Sequence, residues 1–246
     1  MKTKLTLLAL LLSAACTGAL ANPKTTLVDF SGDTHGWIGS QNFPFGGTTI
    51  DSGITPTDAL HANVEIPTLT FATRDAAFTG NYGTSKTITI SFDVYTKEIN
   101  FFGTDVTRPF VLQLRDFDTP PPGSPFSSVW YKLGDLDASK PFQHFSVTIA
   151  NTKSKGLPAG WSGTGAVDEN GQAELPSDRT FKNILASVDQ LVFTSAMPGM
   201  GFEEAQFNVA IDNISISAVP EPGQGAMLAG GLALLAWAAR RRQRQA

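Results

Sequence analysis

Between residues 87 and 94 the chain alternates strictly. Ile88, Ile90, Phe92 and Val94 are apolar while Thr87, Thr89, Ser91 and Asp93 are polar, the period of an antiparallel strand with one buried face. Phe145, Val147 and Ile149 repeat the pattern against Ser146 and Thr148. Apolar runs at 26–30, 69–72, 110–115, 129–133, 190–194 and 207–216 predict further strands. Turn-rich segments such as Asn81-Tyr82-Gly83-Thr84, Thr119-Pro120-Pro121-Pro122-Gly123 and Asp168-Glu169-Asn170-Gly171 separate them. Phe181, Ile184, Leu185 and Val188 instead fall at helical spacing, which predicts one short helix capped by Ser177 or Asp178. The sum is an all-β chain, an antiparallel β-sandwich or jelly roll of about eight strands. In the last run Phe207, Val209 and Ile211 share one parity and Ile214 and Ile216 the other, so a bulge is expected at Asp212-Asn213.

Both ends leave this pattern. Lys2 and Lys4 precede an apolar stretch at 5–12, and Ala19-Leu20-Ala21 supplies the small residues of a cleavage site, which together predict a signal peptide over 1–21 removed by signal peptidase. The apolar stretch falls short of the about 20 residues of a membrane span. Ser13-Ala14-Ala15-Cys16 resembles a lipoprotein site, but Ser13 stands where a large apolar residue is usual, so lipidation of Cys16 stays open. Cleavage after Ala21 removes the only cysteine, leaving a mature fold without disulfides or thiol chemistry.

At the other end Val219-Pro220-Glu221-Pro222 leads into an uncharged segment, 223–239, followed by Arg240, Arg241, Arg242 and Arg244. As a helix that segment reaches about 26 Å, slightly less than the roughly 30 Å of a hydrocarbon core, and so predicts a marginal transmembrane helix. The arginines hold its end in the cytoplasm and put the body on the far side, the topology a signal peptide also requires. Prolines on both sides of Glu221 exclude helix and present its carboxylate on extended backbone. Pro-Glu-Pro, a short apolar helix and an Arg-rich terminus, in that order, resemble the PEP-CTERM sorting domain over residues 219–246. The resemblance implies transient membrane anchoring, recognition and cleavage near the motif by an exosortase, and delivery to the surface or biofilm matrix of a Gram-negative, exopolysaccharide-producing bacterium.

The body, 22–218, shows no linker or repeat and reads as one domain. Of the 18 basic residues six lie at the ends, and of the 22 acidic ones only Glu221 does, so the body carries 12 basic and 21 acidic residues, a formal charge of −9. That argues against nucleic acid or an anionic membrane as partner and suits a neutral polymer or a cation.

Residues 207–216 look like the closing strand of carbohydrate-binding jelly-roll modules, and Val28-Asp29-Phe30 with Gly36-Trp37 like their opening segment. This resemblance implies a structural Ca²⁺ held by Asp212 and backbone oxygens near the N-terminus. The face change at Asp212-Asn213 can turn that acid toward the N-terminal strand, which makes Asp29 a candidate neighbour. Exopolysaccharide is the candidate partner of the body.

Signals for catalysis are weak. His35, His61 and His144 form no local zinc spacing. Gly160-Trp161-Ser162-Gly163 is out of register for a nucleophile elbow because Thr164 stands where glycine is needed. Asp116 with Asp118, Asp135 with Asp137, and Glu203 with Glu204 read as loop charges, although a glycosidase pair can assemble from distant positions. Trp37, Trp130, Tyr131 and Trp161 are the candidates for stacking on sugar rings, Trp161 being expected in an exposed polar loop; Trp130 and Tyr131, adjacent in a strand, must face opposite sides, so at most one of them belongs to any single platform. The reading is an exported, non-enzymatic protein that binds polysaccharide, with a purely structural matrix protein and a secreted glycan-acting enzyme as alternatives.

Overall fold

The computed structural model describes residues 23–44 and 46–220. Ala19, Ala21, Cys16, Glu221, Pro222, the 223–239 segment and Arg240, Arg241, Arg242 and Arg244 lie outside the described residues. Residues Thr25–Ala218 form one compact unit. Among the described residues no helix is long and apolar enough to cross a membrane.

The unit is a sandwich of two antiparallel sheets. The first runs β10 (Phe142–Ile149), β6 (Ser85–Phe101), β15 (Ala205–Pro220), β4 (Ala59–Ile66) and β3 (Gly46–Asp51), with β1 (Lys24–Val28) on β15 and β7 (Thr104–Asp105) on β6. The second runs β11 (Trp161–Thr164), β9 (Ser127–Leu136), β8 (Arg108–Asp116), β14 (Gln190–Thr194), β5 (Thr70–Thr73) and β2 (Trp37–Gly39). A small hairpin, β12 (Ala166–Val167) and β13 (Ala173–Glu174), turns at the expected 168–171 segment.

Alternation decides which side chains meet between the sheets. Phe92 of β6 and Phe145 of β10 project from the first sheet; Phe110 of β8 and Phe193 of β14 answer from the second. The Phe92 and Phe193 rings stack with centroids 3.9 Å apart, and Phe110 lies 6.0 Å from Phe92 and 6.1 Å from Phe145. All four are buried. This aromatic cluster carries the inter-sheet contact, where offset and edge-on rings add about 0.5–1.5 kcal/mol per pair beyond area burial.

The single α-helix among the described residues, α1 (Phe181–Ala186), turns Phe181, Ile184 and Leu185 into the core as the spacing predicts. Its cap is Thr180 rather than Ser177 or Asp178. Thr180 Oγ1 accepts from the Asn183 N–H at 3.2 Å and Asn183 Oδ1 accepts from the Thr180 N–H at 3.1 Å, a capping box closed by asparagine instead of glutamate. The expected face change in β15 occurs at Asn213, which takes a left-handed φ of +52°. Asp212 is thereby buried and Ile214 returned to the core.

Candidate functional site

Strand β10 is the last strand at one edge of the first sheet and β11 the last at one edge of the second. Residues 150–160 cross between them. The free side of an edge strand leaves backbone N–H and C=O groups without a strand partner. Here that edge lines a cleft of about 330 Å³ together with Tyr131, Trp161, Asn151 and Ser154. Trp161 stands directly opposite Tyr131 in the β9–β11 register, their ring centroids 5.5 Å apart, and the edge of Phe181 backs Trp161 at 5.2 Å. Gly160, at φ +82°, is required where it sits: a Cβ there would come within 2.7 Å of the Tyr131 ring.

Polar groups rim this aromatic floor. Ser146 and Thr148 point out of β10, and Ser146 Oγ and Asn151 Nδ2 have no hydrogen-bond partner among the described residues. No residue lining the cleft carries a formal charge at neutral pH. Flat apolar rings beside uncharged donors and acceptors suit a neutral, hydroxyl-rich ligand.

The three candidate tryptophans separate. Trp161 is not in an exposed loop: it lies in β11, wedged between Tyr131 and Phe181, and 7% of it remains accessible, at the cleft. Trp37 is 1% exposed and stacks on Phe193 at 5.4 Å and 4°. Both its faces are in the core, so sugar stacking at Trp37 gives way to a packing role. Trp130 faces away from Tyr131, as alternation requires, between Ser162 and Gln113. It is 8% exposed and its Nε1 is buried without a partner. Beside it Gln113 donates to Ser128 at 2.7 Å and accepts from Arg115 at 2.8 Å, and burial, with nearby Arg74, pushes the Arg115 guanidinium down to about 10.

Asp212 Oδ1 accepts from the Asn213 N–H at 2.7 Å and Oδ2 from Thr57 Oγ1 at 3.2 Å. Burial raises its carboxyl above the ordinary range, and the charges of Asp29 and Asp93 add to the shift. Asp29 is held below that range by hydrogen bonds from the hydroxyl and N–H of Ser31. Asp116 and Asp118 converge with Asp189, their oxygens lying within 4.8 Å of one another; Arg179 faces Asp116 at 3.7 Å. None of these carboxylates lines the cleft. The histidines are hydrogen-bonded: His61 lies between Asp51 (2.7 Å) and Asn208 (2.8 Å), and His144 pairs with Asp93 at 2.7 Å.

Solved structures with a similar outline include an exo-β-agarase, 13% identical over 82% of this chain at a TM-score of 0.45, and the family 30 carbohydrate-binding module of a Clostridium thermocellum cellulosomal cellulase, 14% identical over 78% of this chain and 93% of that one at a TM-score of 0.42. A Clostridium thermocellum xylanase carrying a CBM22-1 module is 11% identical over 78% of this chain at a TM-score of 0.44. The chain spans about a quarter of the agarase (26%) and of the xylanase (28%). No curated protein matches the chain in sequence. At its C-terminus, residues 218–242 match the family model of the PEP-CTERM protein-sorting motif, which marks the chain for export and for processing by an exosortase-like enzyme.

Proposed function

We propose that this is an exported, non-catalytic surface or matrix protein whose jelly-roll body holds a neutral polysaccharide in the cleft between β10 and β11. The observation that carries the reading is the uncharged cleft with Tyr131 and Trp161 as its floor. The body's charge of −9 points the same way, since it disfavours anionic polymers. In this reading signal peptidase cuts after Ala21, segment 223–239 anchors the chain transiently with its arginines in the cytoplasm, and processing releases the body to the exopolysaccharide outside. A glycan array with the 22–219 body tests the binding. Neutral polysaccharides should give signal, acidic ones little, and Ala159→Arg, at an exposed lining position, should sharply reduce it. Failure to retain any glycan, or signal undiminished in both Ala159→Arg and Tyr131→Ala, would overturn the reading.

A structural Ca²⁺ at Asp212, with Asp29 beside it, belongs to the same reading. A buried carboxyl disfavoured by burial and by neighbouring acids gains from a hard cation. At one hundred times its dissociation constant the ion adds about 2.7 kcal/mol, which for a body of this size raises the melting midpoint by about 5–10 °C over chelator. Asp212→Ala should erase that difference. Equal midpoints of the unaltered protein in calcium and in chelator would leave Asp212 a strand residue satisfied by Asn213 and Thr57.

A further inference from the structure

A second cleft, of about 400 Å³, lies at the opposite edge of the first sheet, on β3 and β4. Four strand spacings separate β3 from β10, so the two clefts are about 19 Å apart across the sheet. The second cleft is built differently. Phe43 lines it 96% exposed, a ring with no packing partner among the described residues. Asp51 and the buried His61 line it too, and the two ring nitrogens of His61 are fixed by Asp51 and Asn208. Asp51 also accepts from the Thr49 hydroxyl at 2.7 Å and the Gly53 N–H at 2.8 Å. Burial works against its charge, but these hydrogen bonds and that of His61 outweigh it and keep its carboxyl below the ordinary range.

Two lining glycines let Asn63 and Gln41 approach β3 closely. A Cβ on Gly46 would come within 2.0 Å of the Asn63 carbonyl oxygen, and one on Gly47 within 2.1 Å of Gln41 Oε1. Asn63 Nδ2 and Gln41 Oε1 have no hydrogen-bond partner among the described residues and line the same space. An exposed aromatic ring in one cleft with an immobilised carboxylate, a free amide donor and a free amide acceptor is a set of groups that can stack on one face of a sugar ring while bonding its hydroxyls. An acidic sugar is disfavoured by Asp51.

We propose that this Phe43–Asp51–Asn63 cleft is a second saccharide site, and that the protein therefore bridges two segments of neutral polysaccharide and cross-links the polymer. The inference rests on saccharide binding at the β10–β11 cleft for the bridging, but not for the second site itself. A ligand too short to reach both clefts must bind twice, and a long polymer must be drawn into larger assemblies.

The test uses the 22–219 body, which contains the whole compact unit, with neutral gluco-, xylo-, manno- and galacto-disaccharides, which cannot reach from one cleft to the other. Native mass spectrometry counts ligands per chain, and light scattering follows mixtures with the parent polymers. The expected results are two disaccharides per chain, one in Phe43→Ala and one in Ala159→Arg, with the scattering increase lost in either variant. Phe43→Ala should weaken the second site about tenfold, and because Phe43 packs on none of the described residues its loss leaves their fold intact. A single disaccharide per chain, insensitive to Phe43→Ala and lost in Ala159→Arg, would overturn the second site while sparing the first. No binding of any disaccharide would overturn both.

Discussion

Changing Pro220-Glu221-Pro222 to three alanines leaves export intact and accumulates a larger, membrane-bound form. The sixteen-residue strand β15 ends at Pro220, so the backbone is extended at the first residue of the tripeptide. Pro220 and Pro222 then forbid the helical conformation on either side of Glu221. Alanine is the strongest helix former, so the substituted chain no longer holds open the backbone that a processing enzyme needs at this position. Mass spectrometry of the released wild-type protein should find a C-terminus near the motif and no trace of segment 223–239. A mature protein that keeps its arginine-rich tail, with size and location unchanged by the triple substitution, would mean that the tail is only an anchor.

Phe193→Ala loses about 3–5 kcal/mol of folding stability, because the side chain is fully buried and the emptied volume is lined by rings that cannot collapse onto it. Trp37, Phe92 and Phe110 all contact this ring. Set against the about 5–15 kcal/mol that holds a typical domain, the change lowers the melting midpoint of the 22–219 body by about 6–20 °C. Urea and thermal unfolding followed by circular dichroism measure it. A loss below about 1 kcal/mol would contradict the aromatic contact as the seam between the sheets.

The parts of the fold legible in the sequence are those where inward residues are large. Residues 87–94 announce β6 because every second side chain is branched or aromatic. Strand β4 carries His61 and Asn63 on one parity and the small Ala62 on the other, so it goes unread, although Leu60, Ala62 and Val64 fill the core. The segment around Trp161 reads as a loop for a physical reason: Gly160 and Gly163 look like turn residues. They are small because the structure needs the space, Gly160 for the Tyr131 ring and Gly163 for Leu175, whose Cγ would lie 2.3 Å from a Cβ there. The opposed faces of Trp130 and Tyr131 follow from alternation alone. What alternation cannot give is register. The pairing that sets Trp161 against Tyr131, the 147-residue separation bridged by His61 and Asn208, and the approach of Asp189 to Asp116 and Asp118 all require the assembled sheets.

The central claim, that the Tyr131–Trp161 cleft holds a neutral polysaccharide, is tested most directly by tryptophan fluorescence. In the 22–219 body only Trp37, Trp130 and Trp161 emit, and of these only Trp161 lines the cleft. Titrating a neutral polysaccharide from the array should quench or shift the emission of the unaltered body, of Trp37→Phe and of Trp130→Phe, and leave a correctly folded Trp161→Phe unresponsive. A response that survives in Trp161→Phe and disappears in Trp130→Phe would move the binding to the other face of the second sheet and contradict the account.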